Sequence, residues 1–109
     1  MGFSRNLAWL VGIDRYAHVP PLDTAARDAT AVGALLQDDH DYVTQVRCDE
    51  DANLAALTRL FTETLPATVT ADDRVLIYFA GHGIAQDGDD GPTGFLVPVD
   101  ATQDRKSVV

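Results

Sequence analysis

Cysteine is nearly absent from this chain: Cys48 is the only one among 109 residues. One cysteine cannot close an internal disulfide, so a reducing, cytoplasmic setting is expected. Basic residues are few as well. Eight Lys and Arg stand against 17 Asp and Glu, for a net charge of −9. No basic stripe is available to follow a phosphate backbone, which argues against nucleic-acid binding. No apolar run approaches the ~20 residues of a membrane-spanning helix, and no basic segment followed by an apolar core opens the chain. Neither a membrane nor a nucleic acid is an expected partner.

Phosphate-binding loops are missing too. The first apolar run exits into Gly12-Ile13-Asp14-Arg15-Tyr16, which lacks the further glycines of a dinucleotide fingerprint. There is no Walker-type loop and no Gly-x-Ser-x-Gly elbow. A phosphoacceptor receiver domain would need an aspartate where the third strand ends in Ala80-Gly81. The acidic run Asp87, Asp89 and Asp90 hints at calcium, but Gly91 and Pro92 fall where a calcium loop needs a ligand and a glycine. Gln86 to Gly94 therefore reads as a solvated loop, and no metal or cofactor is expected.

What is present is ordinary globular composition, 46% hydrophobic and 23% charged, in a length that allows one domain over residues 1–109. Leu7 to Ile13 is almost continuously apolar and reads as a strand buried on both faces. Asp23 is a candidate N-cap for a helix from about Thr24 to Gln37. Asp38 to Asp41 reads as a polar turn holding a solvated His40, and Tyr42 to Cys48 as a weaker, outer strand. A second helix, capped by Asn53 or Asp51, runs to about Leu65 and should stop at Pro66, with Leu54, Leu57, Phe61 and Leu65 facing the sheet. Val75 to Phe79 reads as a fully buried central strand, and Phe95 to Val99 as a short extended segment that Pro98 keeps out of the sheet's middle. Strands alternating with helices predict an α/β fold with a mainly parallel sheet and a site at the strands' carboxyl ends.

Two residues stand out on that edge. His82 lies between two glycines directly after the third strand, a place for acid–base chemistry; a turn histidine satisfied by backbone groups is the plainer alternative. Asp28 projects onto the apolar helix face formed by Ala25, Ala29, Val32, Leu35 and Leu36, within an arc of about 120°. A carboxylate there would be costly unless it serves a pocket or bonds neighbouring loop amides, and both readings stand. Cys48 reads as a small hydrophobe, since its neighbours Asp49, Glu50 and Asp51 oppose a reactive thiolate, and His18 reads as a loop residue.

Together, Leu10-Val11-Gly12-Ile13-Asp14, Ala26-Arg27-Asp28-Ala29, Val75 to Gly83 and Gly94 to Ala101 resemble the caspase-like cysteine peptidases, most closely the prokaryotic and metacaspase-type members. The resemblance covers residues 7 to 101. It implies a three-layer αβα fold and a protein or peptide substrate. His82 would be the catalytic histidine, and Gly83 would lend its N–H to the oxyanion. Asp28 would help line a pocket for an arginine or lysine on the amino side of the scissile bond. Arg15 and Arg27 lie close by in sequence, so the aspartate preference of animal caspases stays open behind the basic one.

The family's nucleophilic cysteine follows the histidine by a strand, and no cysteine follows Cys48 here. Cys48 precedes His82 and does not inherit the role. The chain is thus expected to be an incomplete caspase-like domain, inactive alone, whose nucleophile sits in a downstream segment or a second chain. A truncated protease ranks first and a non-catalytic binding or regulatory module is the alternative. Missing strands would leave an exposed apolar edge on the third strand.

Overall fold

The computed structural model describes residues 4–102 and 108–109. Three parallel strands form the main sheet: β1 (Arg5–Gly12), β2 (Val43–Cys48) and β3 (Asp73–Ala80), in the order β2-β1-β3. Helix α1 (Ala25–His40) crosses between β1 and β2. Between β2 and β3 come a single 3₁₀ turn, Asp49–Asp51, and then a helical stretch. That stretch is α2 (Leu54–Arg59), a wide π turn at Leu60–Thr64, and α3 (Leu65–Thr68). After β3, an antiparallel hairpin of β4 (Gly83–Gly88) and β5 (Gly91–Leu96) stands as a separate two-stranded sheet.

The predicted three-layer α/β fold with a mainly parallel sheet is therefore the observed one. Alternation along β1 explains it. Ala8 and Leu10 pack with Ala29, Val32 and Leu36 of α1 on one face. Leu7 and Trp9 pack with Leu60, Phe61 and Leu65 on the other. Beyond the strand ends, Ile13, Tyr16, Leu57, Val97 and Val99 form a third cluster beneath the carboxyl edge. Leu10, Ile13 and Leu57 are fully buried, each contributing about 1.5–3 kcal/mol relative to exposure.

Four expectations from the sequence are corrected. The central strand is β1; β3 pairs only with β1 among the described residues, and Val75 and Ile77 are 36% and 40% exposed. Its apolar run is matched to burial that α2 and α3 do not supply, because they cover β1. The exposed apolar surface foreseen for the third strand is thus present. Second, α1 continues through Asp38 and Asp39 to His40, ending at Asp41 in the left-handed conformation (φ 57°). Third, Pro66 does not stop the second helix; it sits in the first turn of α3, directly after the π turn. A proline clashes with the carbonyl four residues back and lacks an N–H to bond it, and a widened turn relieves both problems. Fourth, Gln86 to Gly94 is not a loop but most of the hairpin, turned at Asp89-Asp90 with Gly91 at φ 102°. Arg105 and Lys106 lie outside the described residues.

At the opposite edge from the strand exits, Arg5 clamps Asp73. Arg5 Nε and Nη2 donate to the two carboxylate oxygens at 2.8 and 2.6 Å, and the Thr70 N–H donates to Oδ2 at 2.8 Å. The Arg5 hydrogen bond, then the Thr70 N–H, hold the Asp73 carboxyl down at about 2, from an ordinary 3.8. A depressed carboxyl stabilises the fold above its unfolded value and loses that contribution as pH falls through the folded value. The stability difference between wild type and Asp73→Asn should therefore be complete above about 3.8 and shrink as the pH approaches 2. Urea unfolding of both proteins across that window measures it.

Candidate active site

The carboxyl edge is assembled by carboxylates. Gly12, Cys48 and Ala80 lie level at the ends of their strands. Asp14, two residues past β1, accepts from the N–H groups of Ala25 and Ala26 at 2.7 and 3.0 Å. It thereby caps α1 from a distance and meets the positive end of the helix dipole. Thr24, not the predicted Asp23, holds the N-cap position, and its side chain makes no cap bond. Asp49, at φ 49°, accepts from the N–H groups of Asp14 and Arg15 at 2.9 and 3.0 Å. The exits of β1 and β2 and the start of α1 are thus fastened together. Asp100 does the same for α2, accepting from the Leu54 N–H at 2.8 Å while Asn53 accepts from Ala56.

His82 sits on this edge, between β3 and β4. Its Nε2 lies 2.8 Å from the carbonyl oxygen of Pro20. A carbonyl can only accept, so the ring proton belongs on Nε2. In the neutral ring Nδ1 is then the basic nitrogen, and it has no hydrogen-bond partner among the described residues. The backbone is equally fixed: the His82 N–H donates to the Tyr16 hydroxyl at 2.8 Å, and the Val97 N–H donates to the His82 carbonyl at 3.1 Å. The plainer reading of a backbone-satisfied turn histidine thus describes Nε2 but leaves Nδ1 over. Beside the ring is a cavity of about 330 Å3, lined by Val19, Pro20, Gly83, Ile84 and Val97 among others. Its walls are mainly apolar and suit a side chain of a bound peptide.

Gly83 is exposed, and a methyl group there would meet nothing closer than the Phe95 carbonyl oxygen at 3.6 Å. The chain itself has room for a side chain at that position. Asp28 differs from expectation. It is exposed in the first turn of α1, accepting from the Thr24 hydroxyl at 3.2 Å, and is not part of a buried stripe. The inward face keeps Ala25, Ala29, Val32 and Leu36 and adds Gly33, while Leu35 is 52% exposed. Cys48 is half-buried against α1, its sulfur 3.9 Å from the Ala26 carbonyl, as a packed residue would be. Among the described residues no cluster of His, Cys, Asp or Glu is arranged to hold a metal.

The family model for the caspase domain matches residues 5–108. The chain belongs to the caspase-domain family. None of the curated proteins compared with it gives a match. Membership makes a cysteine-peptidase domain the frame for the geometry above. The match spans the sheet, both helical layers and the β4–β5 hairpin of this caspase domain. No helix among the described residues is long and apolar enough to cross a membrane.

Tyr16 and Pro20 are the site residues that the sequence alone did not single out. The one signal was an aromatic residue with a polar tip in an otherwise polar strand exit. The two acidic residues should separate cleanly in stability measurements. Asp14→Ala removes two charge-assisted cap bonds and should cost about 1–2 kcal/mol. Asp28→Ala, at an exposed position, should change stability by less than about 0.5 kcal/mol.

Proposed function

We propose that this caspase domain supplies the acid–base half of a cysteine endopeptidase site, of the metacaspase type. The observation that supports the reading is the Nε2 contact to the Pro20 carbonyl, which puts the ring proton on Nε2 and makes Nδ1 the basic nitrogen of the neutral ring. In the proposed reaction, Nδ1 takes the proton of a cysteine thiol supplied by a further segment or a second chain. The thiolate attacks the scissile carbonyl, and the tetrahedral oxyanion accepts a hydrogen bond from the Gly83 N–H. Collapse expels the amine, which takes the proton from Nδ1 as it leaves. Water then hydrolyses the acyl-enzyme by the same route. The unfilled space at Gly83 suits close approach of substrate.

Asp28 is proposed as one wall of a pocket for an arginine or lysine before the scissile bond. Exposure makes this carboxylate a modest partner by itself. It needs further walls, which the segment carrying the cysteine would bring. The edge of β3 that pairs with no strand among the described residues, with exposed Val75 and Ile77, offers that segment a place to pair. A cytoplasmic location agrees with the single cysteine. The same surface would also serve a purely regulatory caspase-fold module, in which His82 would have no task.

The test joins the chain to a cysteine-bearing segment and follows fluorogenic peptides ending in Arg or Lys. His82→Ala should lower kcat/KM by ~10³-fold, and Asp28→Ala should lower it for basic peptides while the fold survives. Undiminished cleavage with His82→Ala rejects the dyad. Partner capture without cleavage, indifferent to His82→Ala, supports the regulatory module.

A further inference from the structure

The imidazole at position 82 and the carbonyl that orients it come from segments 62 residues apart, and their relative placement depends on one side chain between them. Tyr16 opens the loop that carries Pro20. Its hydroxyl accepts the His82 N–H at 2.8 Å and donates to the Val97 carbonyl at 3.1 Å. Val97 in turn returns its N–H to the His82 carbonyl at 3.1 Å. The Tyr16 ring lies against the imidazole, with centroids 4.8 Å apart and planes tilted by 53°. Burial, above all, raises the phenol's pKa, so the hydroxyl stays protonated and able to donate.

Room for this hydroxyl is secured by the neighbouring residue. A methyl group on Gly81 would stand 2.6 Å from Tyr16 Oη and 3.0 Å from the Phe79 ring. Glycine at 81 is therefore tied to the tyrosine, whereas at 83 a methyl group would make only ordinary contact, with the Phe95 carbonyl oxygen at 3.6 Å. The loop between Tyr16 and Pro20 is anchored in the same way, by the Ala17 N–H to the Val99 carbonyl at 3.0 Å. Tyr16 thus fixes the residue bearing the base and the start of the loop bearing its orienting carbonyl against one buried cluster.

We propose that Tyr16 is a positioning residue for His82: its hydroxyl clamps the His82 backbone to Val97, and its ring restricts the imidazole, so that Nε2–H stays on the Pro20 carbonyl. The inference builds on the acid–base reading of His82, because a clamp matters only where Nδ1 must be presented in one direction. Without the hydroxyl, the His82 N–H loses its partner, the turn slackens and the Nε2–H bond opens more often.

Proton exchange measured by NMR on the whole chain decides this without a nucleophile. In the wild type the Nε2-bound proton of His82 and its backbone N–H should both be protected from solvent. In Tyr16→Phe, which keeps the ring and removes only the oxygen, both should exchange faster, on the order of tenfold, the worth of one hydrogen bond. Gly81→Ala leaves Tyr16 in place but displaces its hydroxyl, and should give the same change. A lower melting temperature in the variants with His82 ring exchange unaltered would show Tyr16 to be a core residue only and overturn the proposal. If neither variant folds, the wild type decides, because a His82 N–H exchanging as fast as a solvated amide contradicts the clamp. Cleavage that survives His82→Ala would remove the catalytic reading and leave the clamp standing, so the two failures are distinguishable.

Discussion

Everything in this structure depends on β1 being buried on both faces. It alone among the described strands of the main sheet is paired along both edges, and its side chains alternate between the α1 layer and the α2–α3 layer. A strand in that position cannot leave its ends to solvent without a further arrangement. Asp14 supplies it by turning back onto the first amides of α1, and Asp49 by holding the amides of the turn itself. Two carboxylates would repel if left bare at this spacing. Here each is surrounded by N–H donors, which is how an acidic chain builds a firm edge.

The site inherits its rigidity from that edge. His82 is held at its amide and one ring nitrogen by the loop after β1, through Tyr16 and Pro20, and at its carbonyl by Val97. Each bond is worth about 1 kcal/mol net, too little alone to fix a side chain but enough together to leave one orientation dominant. His82 adjoins a mainly apolar cavity, where a bonded proton donor or acceptor counts for more than in water.

The layers were legible in the sequence and some of their edges were not. Leu7 to Ile13 gave β1 because apolar residues of both parities can only mean burial on both faces. Val75 to Phe79 carries the same signal, yet β3 lies at the edge of the described sheet; an apolar run states what a strand requires, not which layers cover it. On α1 the helical projection found Ala25, Ala29, Val32 and Leu36, which do pack inward, but extended the face too far toward Leu35. Gly33 explains the error. It has no side chain to register as apolar, yet it packs close to the sheet, where an added methyl would stand 2.9 Å from Val46. Asp28 and Leu35 consequently fall together on the open flank. The caps by Asp14, Asp49 and Asp100 link residues 11 to 46 positions apart, beyond any local pattern. His82 was legible because glycines on both sides of a histidine at a strand exit are a local feature. Its supports, Tyr16 and Pro20, were not, since they arrive from another loop.

The central claim is that His82 acts as a base toward a thiol, and alkylation kinetics test it most directly. The rate of thiol modification would be followed against pH in the caspase domain joined to a cysteine-bearing segment, with and without His82→Ala. A thiol paired with His82 should react as a thiolate well below the ~8.5 of a free cysteine, and His82→Ala should return the profile to that of a free thiol. Identical profiles with and without the imidazole would contradict the claim.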